Sequence, residues 1–285
     1  MDVQLVFNGL AVGSIIALGA VGLTLTYGIL RLSNFAHGDF MTLGAYLAWL
    51  ANSLGLNLWW AMGVGCGGTM VSMLLAEWLL WQPMRDRRAT PTTLIIISIG
   101  LALFLRNAIL LIWGGSNQNY QVPIVPAQDF WGLKLEYNRL IIMGLAIAAM
   151  IAIHFLLQKT KMGKAMRAVA DNVDLAKVSG INVERVVIST WVMTAILASL
   201  GGSMYGLITT LKPNMGWFLI LPMFAAVILG GIGNPYGAIA GGLIIGVAQE
   251  ISVPWFGPNY KIGVALFLMI VILLVRPQGL FKGTS

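Results

Sequence analysis

Nine runs of apolar residues, separated by short polar or glycine-rich stretches, organise this chain. They are Leu5 to Leu30, Phe40 to Ala51, Leu58 to Trp81, Thr92 to Trp113, Leu140 to Leu157, Val186 to Leu211, Phe218 to Leu229, Ala238 to Ile251 and Ile262 to Val275. A helix needs about 20 apolar residues to cross a bilayer, and the longer runs reach that length. Several are short, notably the second, seventh and eighth. These are expected to be tilted, broken or partly re-entrant, which is tolerated where the backbone is buried in protein or lines a cavity. The runs are continuous, without the every-second-residue alternation of a barrel strand. The pattern predicts an all-α, polytopic integral membrane helical bundle of about eight or nine transmembrane or partly re-entrant helices. One domain covers residues 1–285.

Composition sharpens this. Of 285 residues, 58% are apolar and 9% charged, and the mean hydropathy is +0.85. A soluble protein of this size cannot cover its surface with so few polar groups. The net charge of +7 does not point to nucleic acid, because the basic residues cluster in loops between apolar runs. Arg31, then Arg85, Arg87 and Arg88, then Lys159, Lys161, Lys164, Arg167, Lys177 and Arg185, then Arg276 and Lys282 fall on one side if all nine runs cross. That is twelve of the chain's 17 basic residues, and it marks the cytoplasmic side. The N-terminus is then outside and the C-terminus inside, with a long extracytoplasmic loop at about 114–138. The start, Met1-Asp2-Val3-Gln4, lacks the positive region of a cleavable signal, so the first run is expected to be a mature span. Cys66 is the lone cysteine and reads as a small hydrophobe in a packed helix.

No G-x-x-x-x-G-K-[ST] pattern occurs: Gly163-Lys164 lacks the preceding glycine and is followed by Ala165. ATP is therefore not held here by a phosphate loop. His37 and His154 are far apart and belong to no ligand cluster, which speaks against a metal or haem. Glu77 and Glu250 are the clear acids within runs, and both lie near run ends. A proton-coupled carrier, which needs acids in mid-span, is disfavoured. A membrane-embedded enzyme would need a convergent polar constellation, and none stands out.

Three features carry the functional reading. Asn34-Phe35-Ala36-His37-Gly38-Asp39 breaks the pattern between the first two runs. It reads either as an ordinary cytoplasmic turn, with Asp39 placed at a helix N-terminus, or as a broken helix at the translocation path or its cytoplasmic gate, carried by Asn34, His37, Gly38 and Asp39. The stretch at about 159–185 places Met166, Val169, Ala170 and Val173 at three-to-four spacing, with Lys164, Arg167, Asp171 and Asp174 on the other faces. This predicts a short amphipathic helix stopped near Gly180, lying either on the membrane or in the groove of a partner protein. Glycines recur at spacing four in Gly233, Gly237 and Gly241, and again in Gly242–Gly246, Gly202–Gly206 and Gly63–Gly67. In lipid, small residues allow the close backbone approach that holds helices together.

At this point the chain resembles a known family. Residues 6–46 with NFAHG, residues 81–107, residues 162–186 and residues 227–250 with LGGIGxxxGAxxGG are similar, in the same order, to LivH-type permease subunits of branched-chain amino-acid ABC transporters. The resemblance implies a transport subunit rather than an enzyme, in the bacterial inner membrane. It implies a second, LivM-like permease, two cytoplasmic ATPases that bind ATP and magnesium, and a periplasmic or lipid-anchored substrate-binding protein. The same machinery could carry urea, short amides or a wider amino-acid range. It further implies that Gly163 to Ile181, with Gly163, Ala165, Arg167, Ala168, Ala170, Asp171 and Gly180, contacts the ATPase, and that the His37 region lines or gates the path. It says least about the extracytoplasmic loop.

Overall fold

The computed structural model describes residues 2–123, 126, 128–130 and 133–281; Met1 and Lys282 lie outside them. The chain forms α1 (Asp2–Leu30), α2 (His37–Ser53), α3 (Leu58–Asp86) and α4 (Pro91–Trp113). An antiparallel pair follows, β1 (Gln128–Phe130) with β2 (Leu133–Leu135), Gln128 opposite Leu135. Then come α5 (Tyr137–Lys159), α6 (Lys161–Asp171), α7 (Val173–Val178), α8 (Val183–Ile208), α9 (Met215–Gly230), α10 (Pro235–Ile251) and α11 (Lys261–Val275). The small strand pair in the long loop is an addition to the all-α expectation.

Among the described residues, six helices are long and apolar enough to cross a membrane, not eight or nine: α1, α3, α4, α5, α8, and α11 with the turn before it. The shortfall has a physical cause. α2, α9 and α10 have 17, 16 and 17 residues, and they are the second, seventh and eighth runs. All three pack inside the bundle. After α1 the chain does not begin α2 at the bundle's end. It returns as irregular chain ending in a turn at Phe35 and Ala36, with Leu32, Asn34 and Ala36 buried, and α2 starts where the His37 ring meets Gly22 of α1. Non-helical backbone at this depth must find partners. Here Ser98 of α4 accepts from the Phe35 N–H at 3.2 Å and Asn34 Oδ1 accepts from the Ala36 N–H at 3.1 Å.

One end of the bundle gathers the basic residues. The Arg31 guanidinium donates to the Ala170 carbonyl of α6, Arg167 donates to the Leu157 carbonyl of α5, and the Leu280 N–H returns to the Leu229 carbonyl of α9. At the other end the long loop turns inward: Tyr120 is buried and donates to the Ala45 carbonyl at 3.0 Å, and Gln118 bridges Leu211.

α1 is the axis, and α10 lies along its length. A Cβ on Gly13 would stand 2.9 Å from the Leu243 Cα, and one on Gly242 would stand 2.6 Å from the Ala17 Cα. Such approach is possible only for glycine, and it replaces the hydrophobic drive that lipid does not supply. α4 and α5 lie at the periphery, with few buried positions apiece.

Candidate functional site

The break between α1 and α2 folds into the centre of the bundle. Asn34, His37, Gly38 and Asp39 are all buried there, within one turn of each other. The His37 ring packs against Gly22 of α1, and Gly38 lies against Gly216 at the start of α9. A Cβ on either glycine would overlap the other's carbonyl group, so the two helix starts meet because neither carries a side chain. Thr42 accepts from the Gly216 N–H at 3.0 Å and completes the junction. Asn34 Nδ2 has no hydrogen-bond partner among the described residues, and the His37 ring lies beside the Gly19 backbone of α1 without a bond of full geometry.

Asp39, in the first turn of α2, is an acid inside the bundle rather than at its surface. Its carboxylate accepts from Arg106 of α4, Nε to Oδ1 at 3.2 Å and Nη2 to Oδ2 at 3.3 Å, and the guanidinium lies 4.9 Å from the Trp217 ring centre of α9. Arg106 is a cation about 6 Å from the middle of a membrane-length helix, and the sequence reading passed over it. The signal was present: an arginine followed by Asn107 inside an otherwise uncharged run of 23 residues, where a charge is a functional hypothesis by default. The pattern along the chain places Asp39 at a helix N-terminus and does not link it to Arg106. The other expected acids sit nearer the ends. Glu77 pairs with Arg85, and Glu250 pairs with Lys261.

The stretch at 159–185 forms two helices. Thr160 caps α6, accepting from the Gly163 N–H, and Asn172 ends α6 while capping α7, accepting from the Leu175 N–H. Gly163, Met166 and Val169 face inward against the chain's own bundle, with Ala165, Ala168 and Ala170 half-buried. The outward apolar side chains are in α7, where Leu175 is 64% and Val178 83% exposed. Arg167 and Asp171 are exposed, and Gly180 has φ +82° in the turn before α8.

The glycine series divides. Gly237 and Gly241 lie directly on Gly230 and Ala226 of α9, and Gly242 and Gly246 lie on Ala17 and Gly13 of α1. Gly233 is different: it sits at φ +86° in the turn between α9 and α10 and donates to Thr24 at 3.0 Å. Gly63 and Gly67 have nothing within 4 Å of an added Cβ.

Residues 5–273 match the family described as branched-chain amino acid transport system / permease component. The LivH permease of Salmonella typhimurium is 31% identical over 97% of this chain and 94% of its own length. The BraD permease of Pseudomonas aeruginosa is 32% identical over the same shares. Among solved structures, PsaBC from Streptococcus pneumoniae in complex with Fab superposes with a TM-score of 0.53 at 14% identity, covering 98% of this chain and 93% of that one; at that identity the likeness is one of fold. A helical bundle with membrane-length spans, a profile match across nearly its whole length and near-complete coverage of its relatives fix the assignment. The chain belongs to the LivH-type permease family of branched-chain amino-acid ABC importers. It is a multi-pass membrane transport subunit.

Proposed function

We propose that this permease pairs with a second, LivM-like permease, that two cytoplasmic ATPases dock at its basic end, and that a periplasmic or lipid-anchored binding protein delivers neutral amino acids, branched-chain ones included, at the other end. The three short inner helices together with the six long ones make up the membrane-embedded part. ATP and magnesium act on the ATPase subunits. The permease contributes two packings of nearly equal energy, which its partners bias in turn.

One observation carries this reading. The segment α6–α7 stands at the basic end, rooted in the bundle by Met166 and Val169, and presents Leu175 and Val178 outward in a chain that has no phosphate-loop motif of its own. An amphipathic segment with one face anchored and the other apolar and free suits a groove in a soluble partner. The basic residues at this end favour a cytoplasmic location, with the N-terminus outside and the C-terminus inside. In the same reading, the buried break at Asn34, His37, Gly38 and Asp39 borders the substrate path.

The test is reconstitution. The chain is co-expressed with the permease, ATPases and binding protein encoded beside it, and the complex is placed in liposomes with ATP on the ATPase side. ATP-dependent uptake of labelled leucine, isoleucine or valine that requires the binding protein supports the proposal. Uptake driven by a proton gradient without ATP would overturn it.

A further inference from the structure

Among the described residues there are four ion pairs, and three of them sit toward the ends of the bundle. The fourth, Asp39–Arg106, is at mid-depth. Its acid is almost completely buried, but a fifth of the arginine side chain is exposed. The next residue, Asn107, is exposed as well, with its amide donating only to the Leu103 carbonyl of its own helix. A cation and an amide at this depth are costly against hydrocarbon, so this part of α4 borders water or polar groups in the working assembly. Beside the guanidinium stands an aromatic side chain at the start of α9, Trp217, at 41% exposure.

We infer that Asp39 and Arg106 receive the charged ends of the amino acid in transit, an inference that rests on the import reading above. A zwitterion crossing at this depth must shed water from a carboxylate and an ammonium, and each is expensive to bury unpaired. The guanidinium is a planar fork that matches a carboxylate, and the Asp39 carboxylate accepts from an ammonium. In the structure the two side chains satisfy each other. When substrate passes, its carboxylate takes the place of Asp39 on Arg106 and its ammonium takes the place of Arg106 on Asp39. No charge is left without a counter-charge at any stage. Trp217 offers apolar contact to an uncharged side chain, which suits neutral amino acids.

The test uses the whole complex in liposomes and separates substrate handling from a purely structural clip. Asp39→Asn and Arg106→Met each strand one buried charge and lower uptake under either account. The double variant Asp39→Asn/Arg106→Met removes both charges and strands neither. The expected result is a double variant that assembles and still hydrolyses ATP when the loaded binding protein is added, but imports at least about tenfold more slowly, the scale of one lost charge-assisted hydrogen bond. Wild-type uptake by the double variant overturns the inference. Should the double variant fail to assemble, Leu103→Cys in a Cys66→Ala background decides, with the ion pair intact and the thiol one turn from Arg106. Reaction with a charged, membrane-impermeant thiol reagent, slowed by substrate during turnover, supports the inference. Absence of reaction in every state, or reaction that substrate leaves unchanged, overturns it. Failure of the wild-type complex to import any amino acid would instead strike the import reading itself.

Discussion

Trp191 of α8 donates its indole N–H to Glu77 of α3 at 2.7 Å. Glu77 opens a π-helical turn, Glu77–Trp81, and the same carboxylate accepts from Arg85 two turns further on. The extra residue in that turn rotates Trp81 inward, where its ring stacks on Trp191 with an interplanar angle of 10°. Two fully buried tryptophans and one carboxylate thus lock the basic end of α3 to the helix that directly follows α6–α7. π-turns inside α-helices are costly and are often found at functional sites.

Glu77→Ala orphans the indole N–H and leaves Arg85 unpaired, at a cost of about 1–3 kcal/mol. Glu77→Gln keeps an acceptor for Trp191 and loses less. The check is the unfolding temperature of the detergent-purified complex, followed by size-exclusion fluorescence. Equal midpoints for wild type and Glu77→Ala would show that the lock contributes nothing.

The two glycine series look alike in sequence and differ in space. A methyl group on Gly237 overlaps the backbone of Gly230, whereas one on Gly67 meets nothing. Backbone cannot swing aside as a side chain can, so Gly237→Ala is expected to destabilise the permease by about 1–3 kcal/mol. Gly67→Ala should be neutral or slightly stabilising, since alanine favours the helix. The same melting assay reads both, and similar tolerance at the two positions would remove the close-contact argument.

Coupling to the ATPases offers a third test. Ala168→Arg and Ala170→Arg disturb the seat of α6 on the bundle, while Leu175→Glu and Val178→Glu alter only the outward face of α7. All four are expected to insert in the membrane normally. The α7 pair should keep the permease melting temperature and reduce substrate-stimulated ATP hydrolysis by about tenfold, as for loss of apolar anchors at an interface. Full stimulation in Leu175→Glu/Val178→Glu would exclude α7 from the contact.

Periodicity carried much of this architecture, and the places where it fell short have physical causes. Run length identified the short elements α2, α9 and α10, but not that α2 begins deep in the bundle. That depends on Ser98, sixty-three residues away, accepting a hydrogen bond from the re-entrant backbone. The amphipathic stripe of α6 was legible, whereas its destination was not: a stripe looks the same whether it faces a partner or its own α5. Asp39 was legible as a polar residue at a helix start. Its partner Arg106 lies in another run, and nothing in either run alone links the two. Gly233 and Gly237 share one spacing, and only the turn geometry separates a residue at positive φ from a packing contact.

The His37 ring is wholly buried against Gly22, and its polar neighbour, the Gly19 backbone, serves one ring nitrogen at most. A buried polar group left unpaired costs about 1–3 kcal/mol, so the packing seen here is not the one that best suits an imidazole. A second packing of the break, in which the ring meets water, substrate or a polar neighbour, would relieve that cost. His37→Met fills similar space without the ring nitrogens. It is expected to raise the melting temperature of the complex and to slow uptake, because it favours the closed packing over the other. His37→Cys, in a Cys66→Ala background, reads the second packing directly: a thiol reagent should react at different rates in the ATP-bound and nucleotide-free complex. A His37→Met complex that is less stable yet imports normally, together with state-independent labelling of the cysteine, would make the break a passive turn.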